Sequence, residues 1–227
     1  MVDVTRPPAA SIRSKDTWED AVAPLFPLRA LLTGAVAAAV AVTVAASPSA
    51  ASPAAQGNPS AAGDFALTST AFADNKTIPD HYTCAFTHKA GKNVSPPLAW
   101  GAGATNAKGY AIILRDVANG GDKVHWAIWN LTADTLSLPE GLSAGYTVPG
   151  QNGAKQKAMG SGSVTQQYFG PCPGGREHPY TFTLYAVKSA TVPGLSSSSS
   201  MSQIESAIKK ASSANVVLHG KSAASAN

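Results

Sequence analysis

Fourteen of the sixteen aromatic residues in this 227-residue chain lie at or beyond Asp64, and from Ala30 to Gly63 there is neither an aromatic nor a charged residue. A packed core needs large apolar side chains to offset the entropy lost on ordering the chain. The sequence therefore predicts one folded domain over residues 64–227, a common single-domain size. That stretch carries 13 Lys and Arg against 9 Asp and Glu, and this excess is the whole formal net charge of +4. The cations are scattered, with Lys209-Lys210 the single adjacent pair. A phosphate-neutralising surface needs clustered Lys and Arg, so nucleic acid is not an expected partner. No glycine-rich nucleotide-binding run is present either.

Ala30 to Ala46 is a continuous apolar run, mostly Ala and Val, directly after Arg29. It reads as a signal peptide with small-residue cleavage positions such as Ser49-Ala50-Ala51. Its 17 residues fall short of the roughly 20 that cross a bilayer, although a retained anchor and a disordered tail stay as alternatives. The preceding residues are long for an n-region, which leaves a start downstream of Met1 open. Residues 47–63 are Ser, Pro, Ala, Gly and Asn-rich and read as a flexible linker. The organisation expected is a leader or anchor over 1–46, a linker over 47–63 and a domain over 64–227. That domain is expected to be secreted or extracytoplasmic, with membrane contact only through an uncleaved N-terminal segment.

Cys84 and Cys172 lack the C-x-x-C spacing of zinc or redox sites. In an oxidising compartment they are expected to pair; two buried thiols are the alternative. Short β-branched and aromatic stretches bounded by Gly, Pro and Asn predict strands at Phe65–Ser69, Gly109–Asp116, His125–Leu131, Tyr180–Val187 and Asn215–His219. Tyr180–Val187 alternates as a half-buried strand, with Phe182, Leu184 and Ala186 on one face. A short helix follows the run Ser196–Ser200, with Ser202 and Glu205 at capping-box spacing and Ile204, Ala207, Ile208 and Ala211 on one stripe. Gly141 to Gly160 reads as a long connection in a mainly β domain.

Asp116 ends one predicted strand and His125 opens the next after the loop Val117 to Val124, so antiparallel pairing would bring them to one rim of a sheet. His178 stands just before another strand, after the turn Gly170-Pro-Cys-Pro-Gly-Gly175. These residues belong to six ordered motifs: Ile78-Pro-Asp-His-Tyr-Thr-Cys84; Asn93-Val-Ser-Pro-Pro-Leu-Ala-Trp100; Asp116 with His125-Trp126 and Asn130; Leu138-Pro-Glu-Gly141; Tyr168-Phe-Gly-Pro-Cys-Pro173; and His178-Pro-Tyr180. From about Phe65 to Gly220 the chain resembles the phosphatidylethanolamine-binding protein family, in its bacterial Raf-kinase-inhibitor-like branch.

The resemblance implies a large central antiparallel sheet, a smaller packed sheet and a short C-terminal helix. It also implies a small rim pocket for an anion such as phosphate or a phosphoethanolamine-type phospholipid head group. Asp116, His125, His178, Tyr180 and Tyr168 are the ligand-binding candidates. Imidazole and backbone N–H groups would donate to the anion, while Asp116 would orient a histidine or accept from an ammonium group. The family's D-P-D-x-P segment here reads Asp116-Val-Ala-Asn-Gly120, and its H-R-Y reads His178-Pro179-Tyr180, so a looser pocket loop is expected.

The function expected is non-catalytic binding, with no cofactor. Two histidines and a carboxylate match a facial metal site in residue type, but nothing in their spacing selects for a metal. The alternative class is an interaction or inhibitor protein acting on a protease or kinase through a surface loop such as Val117 to Val124 or Leu142 to Ser163. Gly141-Leu-Ser-Ala-Gly145 matches a nucleophile-elbow pattern, yet no helix is expected after Ser143, which argues against a hydrolase. Asn75, Asn93 and Asn130 match the glycosylation sequon, which matters only in a eukaryotic secretory pathway, and chance matches are the default reading. Trp100, Trp126 and Trp129 read as core or pocket-wall residues.

Overall fold

The four longest strands in the computed structural model carry runs of Val, Ile, Thr and aromatic residues, the types that fit a pleated, half-buried surface. The structure describes residues 63–84, 93–118, 123–160 and 163–225; the leader and most of the linker lie outside them. In chain order the elements are β1 (Leu67–Thr68), β2 (Lys76–Thr77), a 3-10 turn at Asp80–Tyr82, β3 (Leu98–Trp100), β4 (Gly109–Asp116), β5 (Lys123–Thr132), β6 (Ser137–Leu138), β7 (Lys155–Gly160), β8 (Ser163–Thr165), β9 (His178–Val187), α1 (Met201–Ala211) and β10 (Ser212–Ser222).

Three strands form a small antiparallel sheet in the order β1-β3-β6, and seven form the large sheet in the order β2-β10-β9-β4-β5-β7-β8. The large sheet is antiparallel except at one edge, where β2 runs parallel to β10 with Lys76 opposite Gly220. The expected large sheet and smaller packed sheet are both present, and this one parallel pair makes the large sheet mixed. The short segment is held by amides of Asn75 and Ile78 donating to the carbonyls of His219 and Lys221.

Both faces of the large sheet are covered over its centre. Ile112, Leu114, Trp126, Phe182 and Leu184 pack in the core that also holds Leu67, Leu98, Trp100 and Leu138 of the small sheet. On the opposite face, Ala111, Ile113, Ala127, Trp129 and Tyr185 pack with Met201, Ile204 and Ile208 of α1. This double cover explains why β4 is buried almost continuously rather than alternately. It also corrects the half-buried reading of β9: Tyr185 is buried because α1 lies over its end of the strand.

Two further expectations change. The helix is capped by Ser200, whose side chain accepts from the Gln203 amide while Gln203 reaches back to the Ser200 amide. Glu205, expected in the capping box, instead joins Arg115 and Lys209 in an ion cluster. The stretch Gly141 to Gly160 contains β7, whose Lys155–Ala158 run pairs with Trp126–Trp129. The Leu142 to Ser163 segment is therefore partly sheet rather than loop. Its polar sequence hid the strand because Gln156 and Lys157 are buried with dedicated partners: Gln156 accepts from the Trp126 indole and Lys157 donates to the carbonyls of Ser197 and Ser199. Ser143 is exposed in the loop before β7, and no helix follows it.

Candidate functional site

The rim at which β4 ends and β9 begins gathers three of the predicted residues. Asp116 sits opposite Tyr180 on β9 and opposite Lys123 on β5. Its Oδ2 accepts from His178 Nδ1 at 2.8 Å and from the Tyr180 hydroxyl at 3.2 Å. Its Oδ1 accepts from the Ala118 amide at 2.9 Å. Burial alone would raise the Asp116 carboxyl, but the His178, Ala118 and Tyr180 hydrogen bonds outweigh it and hold the carboxyl below its usual range. Burial, followed by the Asp116 charge, pushes the Tyr180 hydroxyl well above its ordinary value, so it remains a donor.

His125 reaches this rim through an irregularity in the ladder. Leu114 pairs with Trp126 and Arg115 with Val124, which leaves His125 as the extra residue of a bulge. Regular alternation would turn it away from the face of Trp126. Instead its ring meets Tyr180 edge-on at 5.4 Å and stacks on Phe169 at 5.7 Å. His125 Nδ1 bonds the Gly170 carbonyl at 2.9 Å; a carbonyl only accepts, so Nδ1 carries the hydrogen. Burial, opposed in part by that bond and by the Asp116 charge, lowers its basicity, so the ring is neutral near pH 7.

The Gly170–Pro173 turn is tied down from several sides. Asn93 Oδ1 accepts from the Gly170 amide at 3.1 Å, and the Cys172 amide donates to the Tyr180 hydroxyl at 3.2 Å. Cys172 is joined to Cys84 in a disulfide, and the Cys84 amide donates to the Pro171 carbonyl. The pairing expected for an oxidising compartment is thus present.

These residues enclose a cavity of about 430 Å³ lined by Asp116, Lys123, His125, Phe169, Cys172 and His178, among others. Tyr180 stands behind Asp116 rather than on the wall. Tyr168 lies away from the cavity, buried against Trp126, with its hydroxyl donating to the Tyr82 carbonyl at 3.0 Å. Its neighbour Phe169 occupies the wall, an exchange of facing within a turn that periodicity does not encode. Lys123 was not singled out from the sequence, although its antiparallel pairing with Asp116 follows from the short connection between β4 and β5. The loop expected over Val117 to Val124 ends before Lys123, where β5 begins, and its residues 119–122 lie outside the described ones. Among the described residues no cluster of three His, Cys, Asp or Glu is placed to hold a metal ion.

The two-sheet sandwich with a rim cavity that sets a few polar side chains among apolar ones defines a binding scaffold with a preformed concave site. The chain belongs to the phosphatidylethanolamine-binding protein family, whose model matches residues 68–223. It is 37% identical over 123 residues to a UPF0098 protein of Methanothermobacter thermautotrophicus, covering 53% of this chain and 75% of that one. A Mycobacterium tuberculosis chain named as a candidate lipoprotein, LppC, is 34% identical over 129 residues, covering 55% of this chain and 56% of that one. The match thus spans only about half the length of the mycobacterial relative. Among solved structures, the phosphatidylethanolamine-binding protein homolog CT736 of Chlamydia trachomatis is similar with TM-score 0.54 and 27% identity, covering 70% of this chain and 96% of that one. Escherichia coli YbcL shares the fold with TM-score 0.55 at 21% identity, covering 69% of this chain and 96% of that one.

Proposed function

We propose that this domain is a non-catalytic binding module that takes a small anion, of the phosphate or phosphoethanolamine head-group type, in the rim cavity formed by Asp116, His125 and His178. The observation that carries the reading is the convergence of two imidazoles and Lys123 on one preformed cavity whose single carboxylate is already engaged by three donors. With its charge turned toward His178, Asp116 supports a ring rather than repelling the ligand at full strength. Tyr180 braces that arrangement from behind.

Calorimetric titration of the purified protein with phosphate and with phosphoethanolamine tests the reading. Saturable heat that His178→Ala and His125→Ala both abolish is the expected result. The absence of heat at millimolar ligand, with the variants still folded, would sink it. An exported setting is part of the proposal, supported by the apolar leader and by the name of the mycobacterial relative. Sequencing the N-terminus of protein recovered from the host's envelope or medium checks it, and finding Met1 intact would remove a cleaved signal. Among the described residues no helix is long and apolar enough to cross a membrane.

A further inference from the structure

The two cavity histidines share one feature: each has its Nδ1 hydrogen committed to the protein. His125 donates to the Gly170 carbonyl and His178 donates to Asp116. A neutral imidazole carries one N–H, so in the buried, neutral His125 ring Nε2 is an acceptor and not a donor. From this geometry we infer that near neutral pH the cavity, through the His125 ring, selects anions that bring their own hydrogen, such as hydrogen phosphate, over fully deprotonated oxyanions of equal charge such as sulfate. The inference rests on the anion-binding reading above and names the kind of anion.

The His125 tautomer is fixed by more than one contact. The Gly170 peptide is held on both sides, its amide by Asn93 Oδ1 and its carbonyl by His125. It cannot be rebuilt around a larger residue, because a Cβ at position 170 would stand 2.1 Å from the Tyr82 carbonyl oxygen. Asn93 is therefore a positioning residue: by orienting the Gly170 carbonyl it decides which imidazole nitrogen is left for the ligand. The charged groups that act on His125 are Asp116, Lys123 and His178. Asp116 favours the protonated ring, whereas Lys123, His178 and burial among Phe169 and Tyr180 oppose it, and burial is the largest effect. Acidification relaxes the selection, because a protonated imidazole donates from both nitrogens and then suits sulfate as well.

The experiment is calorimetry with three probes, inorganic phosphate, sulfate and methyl phosphate, at about pH 7.5 and about pH 5.5, beside nitrogen-15 NMR of the two rings. At the higher pH phosphate should bind about ten- to hundredfold tighter than sulfate or methyl phosphate, the worth of one hydrogen bond to a charged group. At the lower pH the gap to sulfate should close. Ring shifts should report the Nδ1–H tautomer for His125 in the free protein. Asn93→Leu should scramble that tautomer and narrow the phosphate-to-sulfate ratio, and Asn93→Asp, which keeps the acceptor, should restore both. Equal affinity for phosphate and sulfate at the higher pH, or an Nε2–H tautomer, would overturn the selection while leaving the anion site standing. No saturable heat with any probe at either pH would remove the anion site itself.

Discussion

The hydroxyl of Tyr180 lies 3.2 Å from Oδ2 of Asp116, the same oxygen that accepts from His178, and it also receives the amide of Cys172. One phenol thus joins the end of β4, the start of β9 and the disulfide-bearing turn. Removing only that oxygen in Tyr180→Phe keeps the ring that packs on His125 but takes one of three donors from the buried Asp116 carboxylate and removes the acceptor of the Cys172 amide. The expected loss is about 1–3 kcal/mol of folding stability, from the cost of leaving buried partners unmade. Urea unfolding of the variant checks it, and an unchanged midpoint would mean that water replaces the phenol without loss.

Acidification should weaken the fold in two stages. His125 in the folded protein has its affinity for protons lowered below the ordinary value of 6.5, chiefly by burial. The unfolded chain then takes up a proton that the folded ring refuses, so stability falls as pH drops through about 6.5 and levels off below the folded value. Asp116 is held below its ordinary 3.8, so its contribution is full above that value and is lost as pH falls through the lower folded one. Urea midpoints between about pH 7.5 and about pH 5.5 should therefore decline, and His125→Gln should flatten that first decline. A midpoint independent of pH over this range would contradict the buried, neutral state of His125.

Reducing the Cys84–Cys172 bond should cost both stability and binding. With a sequence separation of 88 between the cysteines, the chain-entropy account gives about 4–5 kcal/mol of stabilisation. The same bond holds the Cys172 amide on Tyr180 and the Pro171 carbonyl on Cys84. Denaturation of a Cys84→Ser/Cys172→Ser variant should show the loss, and phosphate calorimetry on whatever fraction stays folded should show weaker binding.

Gly170→Ala should be one of the most damaging small substitutions in the domain. The added methyl would meet backbone, the Tyr82 carbonyl oxygen at 2.1 Å, as well as the Tyr168 ring at 3.0 Å. Neither can yield without moving the turn that carries His125's partner. A loss of more than about 2 kcal/mol is expected in urea unfolding, against a smaller loss of about 1 kcal/mol for Gly174→Ser, where nothing meets an added Cβ and the glycine φ of 73° is the only obstacle.

Much of the fold was legible because the large strands carry their composition openly. Gly109–Asp116 was read to the residue, and the strands containing Tyr180–Val187 and Asn215–His219 were found with their ends drawn too short. What sequence reading missed has physical causes. β7 is polar because its buried Gln156 and Lys157 are satisfied one by one by an indole and the carbonyls of Ser143, Gly145, Ser197 and Ser199. The helix cap moved from Ser202 to Ser200 because, in a run of serines, each presents the same hydroxyl and only the reciprocal bond with Gln203 decides. At the site, Asp116, His125 and His178 were named together from strand ends and motifs, but Tyr168 and Phe169 were exchanged in facing, and the bulge that aims His125 leaves no mark in composition.

The disulfide also changes what a cut in the chain means. Strands β3 through β8 lie inside the ring it closes, while β9, α1 and β10 lie outside and are stitched to it by the β4–β9 ladder. A protease that severs one peptide bond inside the ring, for example at the exposed turn around Asn152, would leave both pieces covalently joined and still paired across the sheet. Release of a fragment requires a second event, either another cut or loss of the sulfur bridge. In surroundings rich in proteases, the molecule would carry a scar there rather than come apart.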